Sequence, residues 1–256
     1  MSAFARQAWA VADAEMHKLA RDPTELLTRS VQPVLWLLVF GQVFGRIHAI
    51  PTGTASYLDF LAPGILAQSV LFTGIFFGIA VIWERDLGVL ATMLVSPAYR
   101  SALVLGKALS AGVRGLAQAV VVGLVAIAMG VDLTFLPLHL AGIALAVLLG
   151  SGIFATFSLV VACIVKTRER FMGIGQVLTM PLFFASNAIY PMEIMPGWLR
   201  VAARANPLSY LVDALRALMI RGGHSAFGVG LDLAVLALVL AALVALAARL
   251  YPTVVT

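Results

Sequence analysis

Apolar residues fall along this chain in long blocks, and the polar intervals between them are short and rich in arginine or proline. A helix needs about 20 mostly apolar residues to cross the hydrocarbon layer of a membrane. Blocks of that kind predict spans near residues 30–47, 60–83, 107–130, 139–165, 171–190 and 226–249. Lipid offers no partner to a bare peptide group, so each span is expected to be helical. The fifth block is the shortest and ends at Tyr190-Pro191, where a helix must break. Pro33, Pro63 and Pro181 lie inside spans as candidate kinks. Ahead of the first span, Trp9, Ala12, Met16 and Leu19 recur at spacings of three and four, with Arg6, Asp13, His17, Lys18 and Arg21 elsewhere. That pattern predicts an amphipathic helix within residues 1–24, lying in the membrane interface.

Two of the intervals carry patterns of their own. In 84–106, Leu87, Leu90, Ala91 and Leu94 repeat at i, i+3, i+4 and i+7, which predicts a short amphipathic helix outside the membrane. Glu84 and Asp86 are placed at its start, where a helix dipole favours negative charge, and Ser96-Pro97 closes it. A capped helix of this kind is suited to pass on a push from a partner. In 190–224, Pro191 and Pro196 bracket Met-Glu-Ile-Met, and Gly197-Trp198-Leu199 opens a short helix with Trp198 at headgroup depth. Asn206-Pro207 opens a second helix with the stripe Leu208, Leu211, Leu215 and Leu218, and Asp213 and Arg216 are spaced to pair along it. Two such helices dipping back from one side would cap the mouth of a path; irregular backbone at that depth is tolerated only against protein or a wet cavity.

Composition sharpens the class. Hydrophobic residues make up 62%, charged residues 11%, and mean hydropathy is +1.02. Too few charges remain to cover a water-soluble globule. The net charge of +5 reads as a topology signal rather than a nucleic-acid footprint. With both termini in the cytoplasm, Arg6, Lys18, Arg21, Arg29, Arg85, Arg100, Lys107, Arg114, Lys166, Arg168, Arg170 and Arg249 collect on the inner side. Only Arg46, Arg200, Arg204, Arg216 and Arg221 fall outside. Arg114, about two turns into the third span, is expected to snorkel to the headgroups. The N-terminus lacks the pattern of a secretory signal peptide, and the single Cys163 allows no intrachain disulfide.

Candidate chemistry is sparse. Gly106-Lys107 is followed by Ala108, so no phosphate-binding P-loop is present. His17, His48, His139 and His224 are scattered without metal-ligand spacing, and no serine sits in a nucleophile elbow. The chain is therefore read as having no catalytic residue, metal or cofactor of its own. Polar residues inside spans are then the best pointers to a path: Gln68, Ser69 and Thr73 with Phe76 in the second span, and Gln176, Thr179, Phe183, Ser186 and Asn187 in the fifth. Interhelical hydrogen bonding is the competing explanation for each.

The whole chain, and above all the stretch YPMEIMPGWLRVAARANPLSYLVDALR, resembles the ABC-2-type permeases, membrane subunits of one class of ATP-binding-cassette exporter. RSVQPVLWLLVFGQVF and the ER…SP…GK loop look most like the daunorubicin and multidrug efflux permeases within that family. The resemblance implies an all-α integral membrane protein with six transmembrane helices, an N-terminal elbow helix (1–24), a coupling segment (84–106) and extracellular re-entrant helices (190–224). It implies that Glu84, Arg85, Asp86, Gly88, Leu90, Leu94, Pro97 and Arg100 meet the ATPase, and that Tyr190, Pro191, Pro196, Trp198, Asn206 and Pro207 form an outer gate. ATP and Mg are expected on a separate cytoplasmic ATPase, present in two copies with a second copy of this chain, in a bacterial cell membrane. An amphiphilic drug, antibiotic or lipid-like substrate fits an apolar path. Permeases for lipid-linked polysaccharides share the architecture, and a membrane scaffold without transport is the reading from another class.

Overall fold

The computed structural model describes residues 6, 9, 13, 16–17, 24–47, 56–87, 100–165 and 167–250. The elements are helical throughout: α1 (Thr24–Leu35), a π-helical turn (Trp36–Phe40), α2 (Gly41–Ile47), α3 (Tyr57–Asp86), α4 (Arg100–Ala128), α5 (Pro137–Ile164), α6 (Arg168–Phe184), a 3-10 turn (Met192–Ile194), α7 (Gly197–Ala205), α8 (Pro207–Met219) and α9 (Val229–Leu250). This is an all-α membrane protein. Among the described residues, α3, α4, α5 and α9 are the helices long and apolar enough to cross a bilayer. The first predicted span is instead three short pieces, its π turn starting just after Pro33, and the fifth is the 17-residue α6. Of the predicted interfacial helix, Arg6, Trp9, Asp13, Met16 and His17 are described and helical; the remainder lies outside the described residues.

Burial divides the helices into an inner pair and an outer set. Of the most apolar stretch of each helix, 78% is buried inside the protein for α3 and 72% for α5, against 33% for α4 and 17% for α9. The remaining faces of α4 and α9 are not covered by the described residues. The inner pair meets through small residues. A Cβ on Gly74 would lie 2.6 Å from Phe154 Cβ and 3.0 Å from the Ala155 nitrogen, so α3 and α5 touch almost backbone to backbone there. One turn on, the Ser158 hydroxyl of α5 donates to the Ile75 carbonyl and accepts the Gly78 N–H at 2.7 Å. Gly74→Ala is expected to destabilise the protein by about 1–3 kcal/mol through overpacking, read as an earlier midpoint of detergent-induced unfolding. Gly123→Ala, with open space around it, should leave that midpoint within about 0.5 kcal/mol.

α3 starts in a capping box, with the Asp59 N–H donating to Ser56 Oγ at 3.1 Å and the Ser56 N–H to Asp59 Oδ2 at 3.1 Å. It then runs 30 residues, about 45 Å, and includes Glu84, Arg85 and Asp86 in its last turn. This corrects the sequence expectation that Glu84 and Asp86 open a new helix. They sit at a C-terminus, where the dipole disfavours negative charge, and the cations described below offset it.

Candidate functional site

α1 and α3 form a half-open cavity of about 310 Å³ lined by Gln32, Pro33, Gln68, Ser69, Phe72, Thr73, Phe76 and Ile79. Four of the expected path residues, Gln68, Ser69, Thr73 and Phe76, meet there because they recur on one face of α3 at spacings of one, three and four. Gln68 is 3% exposed, and its Oε1 is buried with no hydrogen-bond partner. The fifth-span candidates are placed differently. Gln176 is exposed on α6; Thr179 is buried and donates to the Gly175 carbonyl of its own helix. Phe183 packs edge-on against Trp36, 5.8 Å between ring centres. Ser186 donates to the Phe183 carbonyl, and the Asn187 carbonyl accepts from Arg216 at 2.8 Å. None of the five lines the cavity.

The end of the bundle carrying Glu84 is held by charges. Lys107 Nζ lies 2.6 Å from Glu84 Oε2, with 2% and 11% of the two side chains exposed. Arg168 donates to Asp86 Oδ2 through Nε and a terminal nitrogen, at 3.1 and 2.8 Å, and stacks 3.8 Å above the Trp83 ring. Arg85 holds the other Asp86 oxygen at 3.2 Å. The hydrogen bonds from Arg168, with Arg85 assisting, keep the Asp86 carboxyl below the usual range. Arg114 does not snorkel as expected: it is 8% exposed and lies 5.2 Å over the Phe77 ring. A ring face inside the protein gives its charge a partner that lipid cannot. Leu87 is exposed, Arg100 opens α4, and Gly88, Leu90, Leu94 and Pro97 lie outside the described residues.

The opposite end is rich in proline. Tyr190 donates its hydroxyl to the Phe184 carbonyl. Pro191 and Pro196 flank the 3-10 turn, whose carbonyls at Met192, Glu193 and Met195 are gathered by the Arg200 guanidinium at 3.2, 3.0 and 3.1 Å. Trp198 is 74% exposed. Asn206 caps α8 through its Oδ1, which accepts the Leu208 N–H at 3.0 Å beside Pro207 at the first helical position. Its Nδ2 donates to the Leu182 and Ala185 carbonyls, at 2.6 and 3.1 Å, at the C-terminal end of α6. The expected Asp213–Arg216 pair takes other partners. Arg216 turns to Asn187 and the Phe60 ring, 3.9 Å away, and Asp213 turns to Ser225 and Phe227.

The model of the ABC-2 type transporter family matches residues 6–220. This chain belongs to that family. Among curated relatives, it is 32% identical over 235 residues to the daunorubicin resistance ABC transporter permease protein DrrB1 of Streptomyces coeruleorubidus, covering 90% of this chain and 80% of the relative. It is 28% identical over 202 residues to nodulation protein J of Rhizobium leguminosarum bv. trifolii, covering 78% and 74%. An ABC-2 membrane subunit works in an ABC-transporter complex with a nucleotide-binding partner. Among the described residues, no three His, Cys, Asp or Glu side chains gather as a metal site.

Sequence reasoning missed the partners of Lys107 and Arg168 in this ABC-2 subunit, counting both as topology charges, and gave Arg216 the local partner Asp213 in place of Asn187 and Phe60. The available signal was position: a cation within or beside an apolar run must find a partner or reach water, and Lys107 follows Gly106 inside such a run.

Proposed function

We propose that this chain is the transmembrane permease subunit of an ATP-driven exporter for an amphiphilic drug, antibiotic or lipid-like molecule, with ATP hydrolysed on a separate subunit. The observation that carries this reading is the α1–α3 cavity. Its wall is largely apolar, with Gln68, Ser69 and Thr73 supplying polar groups along one side. A mostly apolar molecule with one hydroxyl or N–H donor would meet both features. The likeness to a daunorubicin resistance permease supports the same substrate class.

In this reading six spans cross the membrane, α1 to α2 and α6 serving as the first and fifth, and both termini face the cytoplasm of a bacterial cell. Residues 84–106 seat on the ATPase. Glu84 and Asp86 act there as positioning residues, through Lys107 and Arg168, and Arg85, Gly88, Leu90, Leu94, Pro97 and Arg100 belong to the same segment. Two copies of the chain pair with two ATPases. The 190–224 region closes the outer mouth, with Tyr190, Pro191, Pro196, Trp198, Asn206 and Pro207 as its gate. Thr179, Phe183, Ser186 and Asn187 shape the path by packing rather than by lining this cavity.

The test is co-purification from native membranes, followed by reconstitution of the complex in liposomes. A nucleotide-binding subunit should accompany the chain, and amphiphiles should stimulate its ATP hydrolysis. Gln68→Leu should raise the half-stimulating concentration about tenfold, the equivalent of about 1.4 kcal/mol, while leaving unstimulated hydrolysis unchanged. Stimulation by lipid-linked glycans alone would replace the drug-type reading with the glycan one. Absence of any ATPase from a complex that keeps its other partners would favour the scaffold.

A further inference from the structure

At the proline-rich end, Asp213 of α8 and Asp232 of α9 are both buried, 2% and 0% exposed, with a single hydroxyl between them. Ser225 Oγ lies 2.7 Å from Asp213 Oδ2 and 2.8 Å from Asp232 Oδ2, and it accepts the Gly228 N–H at 2.6 Å. Asp213 Oδ2 also accepts the Phe227 N–H at 3.0 Å. A serine hydroxyl has one hydrogen and two lone pairs. Its hydrogen can serve one carboxylate, so the second close oxygen must carry a hydrogen itself. The Phe227 N–H marks Asp213 as an acceptor. The consistent chain runs from Asp232 Oδ2–H to Ser225 Oγ, and from Ser225 Oγ–H to Asp213 Oδ2. With Gly228, this fills both lone pairs of the serine.

An independent observation agrees. Asp232 Oδ1 is buried and has no hydrogen-bond partner. An ionised carboxylate with an orphaned oxygen at that depth is costly, whereas the carbonyl oxygen of a neutral acid tolerates it far better.

We propose that Asp213 and Asp232 form a proton-binding site whose one shared proton, resident on Asp232, fastens α8 to α9 through Ser225. Asp213 is the charge that acts on Asp232. Arg216, a turn further along α8, attracts Asp213 and is drawn also by Glu193. In the linker, Arg221 pairs with Asp132, and His224 is exposed. Tyr210 stacks on Phe227 and gives its hydroxyl to the Arg204 carbonyl, while Arg200 of α7 is tied to the 3-10 turn. α5 packs on both helices and carries His139 and Cys163. From α3, Asp59 holds Ser56 and the Asp132 N–H; Tyr57 gives its hydroxyl to the Ile189 carbonyl. Glu84, Arg85 and Asp86 of α3, and Lys107 and Arg114 of α4, belong to the opposite end. Among the described residues no cation pairs with Asp232, so removing its proton would leave two carboxylates across one hydroxyl.

The folded chain then holds a proton that the unfolded chain releases, so stability falls as pH rises through the titration of the pair. Infrared difference spectra of the full chain in lipid nanodiscs, taken across about pH 5 to about pH 9, should show the carbonyl stretch of a protonated carboxylic acid. Asp232→Asn should abolish that band while its amide hydrogen keeps the bond to Ser225. Over the same range the unfolding temperature of the wild type should fall by about 3 °C more than that of Asp232→Asn, the histidines titrating alike in both. If Asp232→Asn does not fold, Asp213→Asn serves: without the neighbouring charge the band should vanish about one pH unit lower. A wild-type spectrum without a protonated-acid band, or equal pH slopes in wild type and Asp232→Asn, would overturn the site.

Discussion

Replacing Lys107 by methionine is expected to destabilise the protein by about 3–5 kcal/mol. The Nζ–Oε2 contact of 2.6 Å joins two nearly enclosed side chains. Taking away the cation leaves the Glu84 carboxylate at the C-terminus of α3, facing the negative end of the helix dipole. Part of the expected loss is therefore the cost of leaving that buried charge without its lysine, beyond the worth of the pair. The double change Lys107→Met with Glu84→Leu should recover more than half of the loss. The midpoints of denaturation in mixed micelles for the four proteins of the cycle give the coupling energy. Strict additivity of the single changes would mean that the pair contributes nothing as a pair. In the proposed complex the same contact joins the helices on either side of the coupling segment. Lys107→Met should then reduce substrate-stimulated ATP hydrolysis more than basal hydrolysis.

Asn206→Ala is expected to cost about 2–4 kcal/mol, combining a lost helix cap with two carbonyls left without a donor. One amide performs both tasks: Oδ1 caps α8, and Nδ2 closes the end of α6. Asn206→Asp separates them. It keeps the cap but turns a donor into an acceptor against Leu182 and Ala185, so it should be as damaging as alanine or worse. Ser209→Ala, one turn into α8, supplies a comparison, because its hydroxyl is buried without a hydrogen-bond partner; that change should stay within about 0.5 kcal/mol. Equal tolerance of Asp and Asn at 206 would show that the Nδ2 contacts carry no weight.

Several features could be read directly from the residues. The blocks at 60–83, 107–130, 139–165 and 226–249 coincide with α3, α4, α5 and α9 within a few residues, apart from the early start of α4 at Arg100, because a continuous apolar run leaves helix as the only workable backbone in lipid. Asn206-Pro207 opened a helix, since both residues suit a helix start. Pro196 also preceded a helix start as expected, but α6 ends at Phe184, six residues short of the expected break after Tyr190. Other features depended on tertiary placement. Glu84 and Asp86 suit the start of a helix by charge, but their partners, Lys107 and Arg168, lie 23 and 82 residues away. Likewise, Asp213 and Arg216 are well spaced for each other along α8, yet Ser225, Phe227 and Asn187 outcompete that local pair. In the cavity, the α3 half followed from helical spacing within one segment. Its expected partners on α6 face elsewhere, since the rotation of one helix against another is set by packing that one-dimensional periodicity does not encode.

A 30-residue helix and a 17-residue helix pack side by side in this subunit, about 45 Å beside about 25 Å. The hydrocarbon layer is about 30 Å thick, so α3 overreaches it and α6 falls short. Protein takes up the deficit at the end of α6: Asn206, Tyr190 and Arg216 satisfy the carbonyls of Leu182, Ala185, Phe184 and Asn187. Where lipid rather than protein borders α6, the acyl chains must thin or tilt to meet it, at a cost of fractions of a kcal/mol per ångström of mismatch. In the proposed six-span arrangement, bilayer thickness then becomes a control variable. Shorter-chain lipids should suit this subunit, and a thick bilayer should press on α6, its shortest crossing.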